Sequence, residues 1–231
     1  MEAIVLAGGF GTRLQKVVNN VPKPMAPIND KPFLFYLLKF LQKNDIDKVI
    51  LSVGYKWEII KKYFGKKFEN IELVYSIEDE PLGTGGAIKK ALNYLENDQS
   101  YVLNGDTFFN ISLNELRLNK NSKIILALKK MQNFDRYGNV KIDDNGTIIA
   151  FEEKKFTENG NINGGIYLLR KNIFDEFDLP KKFSFEEFLE KNYKKLNAKG
   201  KVFDDYFIDI GIPQDYEKAK KDFSEKSFIF G

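Results

Sequence analysis

Short apolar runs alternate with amphipathic segments through the first half of the chain, and this order restricts the possible folds more than any other feature. The pattern predicts strands at 3–7, 48–53, 71–76 and 101–104, and helices at 32–43, 56–64 and 84–95. A strand-helix-strand order of this kind predicts a mostly parallel sheet with helices on both faces. Ligands of such sheets bind at the carboxyl ends of the strands.

The second half of the chain has a different pattern, with strands predicted at 123–130, 139–142, 147–152, 162–169 and 206–210 and a helix at 185–196. Asp143-Asp144-Asn145-Gly146 separates two of these strands and predicts a hairpin. Gly211-Ile212-Pro213 predicts the start of the last helix, because proline is favoured in a first helical turn. No repeat or flexible linker interrupts the sequence, so we expect one domain over 1–231, with halves at about 1–110 and 111–225.

The composition excludes several kinds of chemistry. The chain has no cysteine and no histidine, which excludes disulfides, thiolate zinc sites, cysteine nucleophiles and every triad that needs a histidine base. Any bound metal must therefore have oxygen ligands, which favours Mg²⁺ or a similar hard cation. The net charge of +3 is spread along the chain, and no basic stripe indicates a nucleic-acid partner.

The apolar segments are too short for a membrane protein. The longest, Phe33 to Leu41, is interrupted by Lys39 and falls far short of the ~20 residues that span a bilayer. The first residues lack the positive region of a signal peptide. We expect a soluble, cytoplasmic protein with no membrane partner.

Gly8-Gly9-Phe10-Gly11-Thr12-Arg13-Leu14 directly follows the first predicted strand. Glycines let backbone N–H groups approach closely, and successive N–H groups bind an anion such as phosphate. Glycine clusters also form plain tight turns, so this segment alone leaves both interpretations open. It lacks the Gly-Lys-Ser/Thr ending of a Walker A loop, and Leu14 stands where a dinucleotide-binding fingerprint has its third glycine.

Pro22-Lys23-Pro24 follows about ten residues later. Two prolines fix the backbone on either side of one lysine, which orients its charge. The segment by itself is equally consistent with a surface turn. Together with Arg13, it favours two cations that face one polyphosphate.

Pro81-Leu82-Gly83-Thr84-Gly85-Gly86-Ala87 is a second glycine-rich loop that leads into a predicted helix. It is consistent with a helix N-cap and its approach, or with a backbone surface against which a flat base lies. Glu78-Asp79-Glu80 precedes it and offers acceptors for the N–H groups of guanine, although acidic runs before helices are commonly solvated.

Asp106 and Asp209 each lie near the end of an apolar strand. Either aspartate alone is typical of a turn or a cap. Because carboxyl ends of parallel strands share one edge of the sheet, the two carboxylates together favour a shared Mg²⁺ with phosphate oxygens as further ligands.

These motifs together resemble the sugar-1-phosphate nucleotidyltransferase family. The family pattern is G-x-G-T-R-L, P-K-P, P-L-G-T-A-G-A, a G-D turn, an E-K pair, G-I-Y and a late D-x-G-x-P. The corresponding segments run in the same order here: Gly9–Leu14, Pro22–Pro24, Pro81–Ala87, Gly105-Asp106, Glu153-Lys154, Gly165-Ile166-Tyr167 and Asp209–Pro213. Two positions differ, since Gly85 replaces the usual alanine and Lys155 replaces a frequent proline.

The resemblance implies a Rossmann-like, mostly parallel mixed sheet that binds a nucleoside triphosphate and a sugar 1-phosphate with Mg²⁺. It implies catalytic roles for Arg13, Lys23, Asp106 and Asp209, with the metal on the two aspartates. The implied nucleotide-binding residues are Leu6, Ala7, Gly8, Gly9, Gly11, Thr12, Arg13, Glu80, Pro81, Gly83, Thr84, Gly85 and Asn104. The implied sugar-phosphate-binding residues are Gly138, Glu153, Lys154, Asn163, Gly164 and Gly165.

A narrower resemblance is to the short bacterial D-glycero-α-D-manno-heptose 1-phosphate guanylyltransferases. It is based on Pro22–Pro27, Asn104–Phe109, Asp135–Gly138 and Asp204–Gly211. That resemblance implies GTP as the nucleotide and no C-terminal β-helix. Oligomeric state is not readable from the sequence, and a homodimer is one possibility.

Three alternatives stay open at this stage. The chain could act on another pair of substrates, such as GTP with mannose 1-phosphate, or UTP or dTTP with a hexose 1-phosphate. It could be a nucleotide-sensing subunit without activity, although the implied cations and carboxylates are all present. A dehydrogenase is disfavoured by the imperfect dinucleotide loop.

Overall fold

The computed structural model describes residues 1–9 and 21–225. Its helices are α1 (Phe33–Lys43), α2 (Trp57–Phe64), α3 (Gly83–Ala91), α4 (Phe185–Asn192) and α5 (Pro213–Glu225), with 3₁₀ turns at Lys23–Met25, Leu92–Tyr94 and Leu113–Glu115. Its strands are β1 (Glu2–Leu6), β2 (Pro27–Ile28), β3 (Lys31–Pro32), β4 (Lys48–Val53), β5 (Lys67–Phe68), β6 (Ile71–Ile77), β7 (Gln99–Asn104), β8 (Thr107–Phe109), β9 (Ile124–Phe134), β10 (Asn139–Ile142), β11 (Ile148–Glu152), β12 (Thr157–Arg170), β13 (Lys199–Phe203) and β14 (Phe207–Asp209).

One large sheet carries the fold, with eight strands in the order β13-β9-β12-β7-β1-β4-β6-β5. The strands β7, β1, β4 and β6 pair in parallel, as the alternation of strands and helices predicts. The strand β12 runs antiparallel between β7 and β9, and β5 runs antiparallel to β6 at the edge. Strands from both halves of the chain therefore belong to the same sheet.

Helices cover both faces of this sheet. The helices α1, α2 and α5 pack on one face through residues such as Phe33, Ile60 and Phe223. On the other face α3 and α4 contribute Ile88 and Phe188. Successive β1 residues point to opposite faces, so both sides of the sheet must be apolar and both are buried. The expected fold class is confirmed.

Several predicted elements differ from the observed ones at their ends. The predicted helix 84–95 is α3 followed by a 3₁₀ turn, and α4 ends at Asn192 instead of 196. The strand predicted at 162–169 extends over Thr157–Arg170, because its first half pairs with β9 only. The predicted hairpin is present as the antiparallel pair β10–β11. Within the described residues, no helix is long and apolar enough to cross a membrane.

The last helix closes one face against segments from the beginning of the chain. The ring of Phe223 stacks on Tyr36 with 4.9 Å between centroids, and Tyr216 donates a hydrogen bond to the carbonyl of Pro27. Tyr206, which precedes β14, donates to Asp222 at 2.8 Å. These contacts hold β14 and its Asp209 against the first half of the protein.

At the opposite edge from the ligand-binding side, Glu2 is a buried carboxylate with a full set of donors. It is 2% exposed, accepts from the backbone N–H of Asn97 at 2.7 Å and of Glu96 at 3.0 Å, and lies 3.3 Å from Lys48. Burial alone raises the pKa of this carboxyl group, but the hydrogen bonds from Asn97 and Glu96 outweigh that effect and lower the pKa below its usual value.

Glu2→Gln should lower the free energy of unfolding at pH 7 by about 1–3 kcal/mol, because an amide N–H₂ then faces backbone donors. A lowered native pKa gives stability that is present above about pH 4.3 and lost as the pH falls through the native pKa, so the difference between variant and wild type should shrink with acidification. Urea unfolding at pH values from 7 down to below the native pKa of Glu2 measures it. Glu115→Gln, on an exposed ion pair with Lys201, is the control and should change little; an equal loss there would contradict the assignment.

Candidate active site

A cavity of about 590 Å³ opens at the carboxyl edge of the sheet, where β1, β4, β6 and β7 end. Its wall includes both glycine-rich segments and the turn after β7. The residues that line it are Leu6, Gly8, Gly9, Lys23, Pro24, Gly54, Tyr55, Glu78, Asp79, Glu80, Pro81, Gly83, Thr84, Ala87, Asn104, Gly105, Asp106 and Glu186.

Lys23 is oriented by its proline neighbours. Pro22 and Pro24 are both buried, and the 3₁₀ turn between them is closed by a hydrogen bond from the Met25 N–H to the Pro22 carbonyl at 2.8 Å. The side chain of Lys23 is 14% exposed, and its ammonium lies 2.5 Å from the carboxylate of Asp106. The fixed backbone therefore delivers one positive charge to the floor of the cavity.

Two strand ends bring Asp106 and Asp209 together. The strands β8 and β14 pair antiparallel, with Asp209 opposite Thr107, and the backbone N–H of Ile210 donates to the carbonyl of Asp106 at 2.9 Å. The tight turn after β7 needs Gly105, because a Cβ there would lie 2.3 Å from the carbonyl oxygen of Leu6. The structure thus places the two carboxylates that the sequence singled out side by side.

The electrostatics of this pair favour a cation. Burial, followed by the negative charge of Asp106, raises the pKa of Asp209, although the N–H of Gly211 donates to Asp209 at 2.7 Å. Tyr137 lies 3.5 Å from Asp209, and burial raises the pKa of Tyr137 to about 12. Two carboxylates without a thiol or imidazole suit a hard ion such as Mg²⁺, and the ammonium of Lys23 already occupies such a position on Asp106. Among the described residues no third acidic side chain completes a metal cluster.

The first glycine-rich segment is only partly described. Gly8 and Gly9 line the cavity, as does Leu6, while Ala7 is buried and donates to the Ser52 carbonyl at 2.7 Å. A Cβ on Gly8 would lie 2.7 Å from the carboxylate of Glu78. Gly11, Thr12 and Arg13, which the sequence assigned to phosphate binding, lie outside the described residues.

The second glycine-rich segment is shaped by its contacts with residues 181–183. A Cβ on Gly83 would lie 2.5 Å from the Phe183 carbonyl, and one on Gly86 would lie 2.5 Å from the Lys181 carbonyl. Gly85 faces the ring of Phe183, where a Cβ would approach to 2.2 Å. Glu80, Pro81, Gly83 and Thr84 line the cavity, but Gly85 is not among the lining residues. These glycines therefore have a packing reason in addition to any role toward a base.

The predicted sugar-phosphate residues lie around β12 and do not line the cavity. Glu153 and Lys154 are exposed in the loop between β11 and β12. Asn163 donates to Tyr167 at 2.8 Å and accepts from the N–H of Gly165 at 3.0 Å. Gly165 has a φ of +72° and packs against Asn104, which is a lining residue; Gly164 packs against Phe109, and Gly138 against the carbonyl of Glu152. Their roles stay predictions.

Several lining residues were not predicted as site residues, and Glu78 and Glu186 are two of them. Glu78 accepts from the backbone N–H of Leu82 at 3.1 Å and touches Gly8, so it joins the two glycine-rich segments. Glu186 accepts from Thr84 Oγ1 at 2.7 Å across a sequence distance of 102 residues. The acidic run at 78–80 was a sequence signal for Glu78. Glu186 gave no such signal, because an acidic residue in the first turn of a helix, after an N-cap serine, is common for reasons of helix stability.

A parallel sheet with a glycine-lined cavity, a fixed lysine and a carboxylate pair at its carboxyl edge defines an α/β enzyme that acts on phosphorylated substrates. Residues 2–226 match the Nucleotidyl transferase family, and the chain belongs to that family. The family expected from the motifs is thus confirmed.

Relatives cover nearly the whole chain. It is 60% identical, over 94% of its length and 97% of the relative, to the D-glycero-α-D-manno-heptose 1-phosphate guanylyltransferase of Campylobacter jejuni. It is 50% identical to the protein of that name from Aneurinibacillus thermoaerophilus, over 96% and 98% of the two chains. The crystal structure of HddC from Yersinia pseudotuberculosis complexed with GMP-PN is 36% identical, with a TM-score of 0.83 over 96% of this chain and 99% of that one.

Gly85→Ala should destabilise the protein by about 1–3 kcal/mol, because the new methyl group would overlap the ring of Phe183, which is itself packed against Phe174. Phe183→Leu in the same chain should restore part of this loss by making room. Urea unfolding of the two single variants and the double variant gives the coupling energy. Additive losses would show that the ring and the glycine do not compete for the same space.

Proposed function

We propose that this protein transfers GMP from GTP to D-glycero-α-D-manno-heptose 1-phosphate, releasing pyrophosphate and GDP-heptose for surface polysaccharide such as capsule. The observation that carries the choice of substrates is the 60% identity to the Campylobacter jejuni guanylyltransferase over nearly the full length of both chains. The cavity at the carboxyl edge, whose wall includes Lys23 and Asp106, supports the same reaction class. We propose that the enzyme works in the cytoplasm, where GTP is present. A homodimer remains a prediction.

In this proposal the first half of the domain holds the nucleotide and the second half holds the sugar phosphate. The base lies toward the second glycine-rich segment, near Glu78 and Glu80. The triphosphate extends from the first glycine-rich segment toward Asp106. The sugar phosphate enters from the side of β12, where Lys154 and Asn163 are available.

The reaction forms one bond and breaks one. A phosphate oxygen of the sugar 1-phosphate attacks the α-phosphorus of GTP, and the bond between that phosphorus and the bridging oxygen of the β-phosphate breaks, so the electron pair leaves with pyrophosphate. A phosphate monoester has its second pKa near ~6 and is mostly a dianion at pH 7. The nucleophile therefore needs no general base, which suits a protein without histidine.

What the chain must supply is orientation and positive charge for two polyanions. Lys23 supplies one charge at the floor of the cavity, while Arg13 and Lys154 approach the triphosphate and the sugar phosphate in the proposed arrangement. Asp106 and Asp209 would hold Mg²⁺, which neutralises phosphate oxygens when it is bound. The backbone N–H groups near Gly8 and Gly9 favour the charge that develops on the departing pyrophosphate.

The substrate choice is tested by pyrophosphate release with each of the four ribonucleoside triphosphates and dTTP, crossed with heptose, mannose and glucose 1-phosphates. We expect the highest kcat/KM with GTP and D-glycero-α-D-manno-heptose 1-phosphate. A higher value with mannose 1-phosphate, or with UTP or dTTP, would replace the proposed substrates within the same reaction class. No release with any pair would favour a nucleotide-sensing subunit.

Asp106→Asn and Asp209→Asn should each lower kcat by about a hundredfold or more, since each removes a proposed metal carboxylate. Asp209→Asn should hold or raise stability, because it removes one of two neighbouring like charges, whereas Asp106→Asn also leaves the ammonium of Lys23 without its carboxylate partner and should lower stability modestly. Activity over a Mg²⁺ titration, together with thermal unfolding, separates the two effects. Asp204→Asn is the control, since Asp204 is exposed and pairs with Lys129. Near-normal turnover in both test variants would refute the metal assignment.

A further inference from the structure

Glu186 lines the cavity, and hydrogen bonds hold one of its two carboxylate oxygens. Its Oε2 accepts from Thr84 Oγ1 at 2.7 Å and from Ser184 Oγ at 3.0 Å. Thr84 Oγ1 in turn accepts from the backbone N–H of Phe185 at 2.8 Å, so its own hydrogen is available for Glu186. No hydrogen bond from the described chain reaches Oε1, and Glu186 lines the cavity. Two hydroxyl groups thus hold the carboxylate while its second oxygen remains an acceptor.

Glu186 is joined to Thr84 of the second glycine-rich segment, and its other surroundings belong to the side of β12. Glu78, at the end of the cavity that we assign to the base, follows β6, which is separated from β12 by β4, β1 and β7. Glu186 belongs to the β12 side, because the ring of the preceding Phe185 packs on Tyr167 of β12 with 5.2 Å between centroids.

Neighbouring charges and polar groups support the same location. Burial raises the pKa of the Tyr167 phenol, and the negative charge of Glu186 raises it further, so the two groups lie close together. Tyr167 accepts a hydrogen bond from Asn163, which belongs to the sugar side of the proposed site. Gly165, which lies between Asn163 and Tyr167 in β12, packs against Asn104 in the cavity wall.

The chemistry of Glu186 restricts what it can bind. An ionised carboxylate only accepts hydrogen bonds, and it repels phosphate groups. A hydroxyl group is the donor that a sugar offers at a distance from its phosphate. A hydrogen bond to a charged acceptor discriminates strongly, because an analogue without the hydroxyl leaves a partly buried charge without its partner.

We propose that Glu186 determines the sugar specificity of the site by accepting a hydrogen bond from a hydroxyl group of the sugar 1-phosphate. This inference rests on the proposed function and adds a residue that contacts the acceptor substrate. Thr84 and Ser184 are positioning residues in this arrangement, since they hold Glu186 without reaching the sugar.

The test compares Glu186→Gln with Glu187→Gln in steady-state pyrophosphate release from GTP and D-glycero-α-D-manno-heptose 1-phosphate. Glu187 is the next residue of the same helix, but its side chain is 70% exposed and faces Lys191. Glu186→Gln should raise the KM for the sugar phosphate about ten- to a hundredfold and leave the KM for GTP within about twofold. Glu187→Gln should leave both unchanged. A rise in the KM for GTP alone, or no change in either KM, would overturn the proposal.

Deoxy analogues of the sugar phosphate identify the contact itself. The analogue that lacks the hydroxyl bound by Glu186 should lose about tenfold or more in kcat/KM with the wild type and nothing further with Glu186→Gln. Full additivity for every hydroxyl would exclude a direct hydrogen bond. Thermal unfolding checks the fold of each variant, and Glu186→Asp, which keeps the charge on a shorter side chain, should show the same KM pattern if Glu186→Gln fails to fold.

The same experiment separates this inference from the proposed function. If the wild type prefers another sugar phosphate, that compound replaces the proposed acceptor substrate. The variants are then compared with that sugar phosphate. A wild type that is active while Glu186→Gln behaves as Glu187→Gln leaves the function standing and removes the role of Glu186. A wild type that releases no pyrophosphate with any pair overturns both.

Discussion

The short strands β8 and β14 pair antiparallel and join segments of the chain that are a hundred residues apart. This pairing places Asp209 beside Asp106, although the negative charges of the two carboxylates repel each other. The rings of Phe108 and Phe109 are buried at 1% exposure, and each contributes about 1.5–3 kcal/mol on burial. Apolar packing of β8 and β14 therefore holds the carboxylates in place, while Lys23 and the N–H of Gly211 reduce the repulsion. The site depends on hydrophobic burial in the strands that carry it.

The segment at 181–186 has a comparable influence on the other wall of the cavity. Its backbone bonds Leu82 and Gly85 through Phe183, and its side chains reach Thr84 through Glu186. Glycine is required at the second loop because this segment approaches so closely. The two halves of the chain therefore shape the cavity wall jointly, because the ring of Phe183 occupies the space that a methyl group on residue 85 would need.

Most of the fold was predictable from local patterns. The strand at 48–53 and the helix predicted at 32–43 consist mostly of apolar residues, and their observed bounds agree with the sequence prediction within one residue. The carboxylates Asp106 and Asp209 were also predictable, since each ends an apolar strand. Glu186 was not, because its distinguishing contact with Thr84 joins residues 102 positions apart. The packing of Gly85 on Phe183 also joins distant residues and was not predictable. A glycine in a loop has many local explanations, so its presence alone does not indicate a distant contact.

The contacts of α5 have a consequence for the order in which the protein is completed during synthesis. Phe223 and Tyr216 lie near the end of the chain, yet they pack on Tyr36 and Pro27 near its beginning. The parallel strands β1, β4, β6 and β7 have all been synthesised by residue 104, so that part of the sheet can pair while the rest of the chain is still on the ribosome. Asp209 and the helix that braces it leave the ribosome only after all of these strands. A nascent chain therefore lacks the complete carboxylate pair until α5 has emerged and docked.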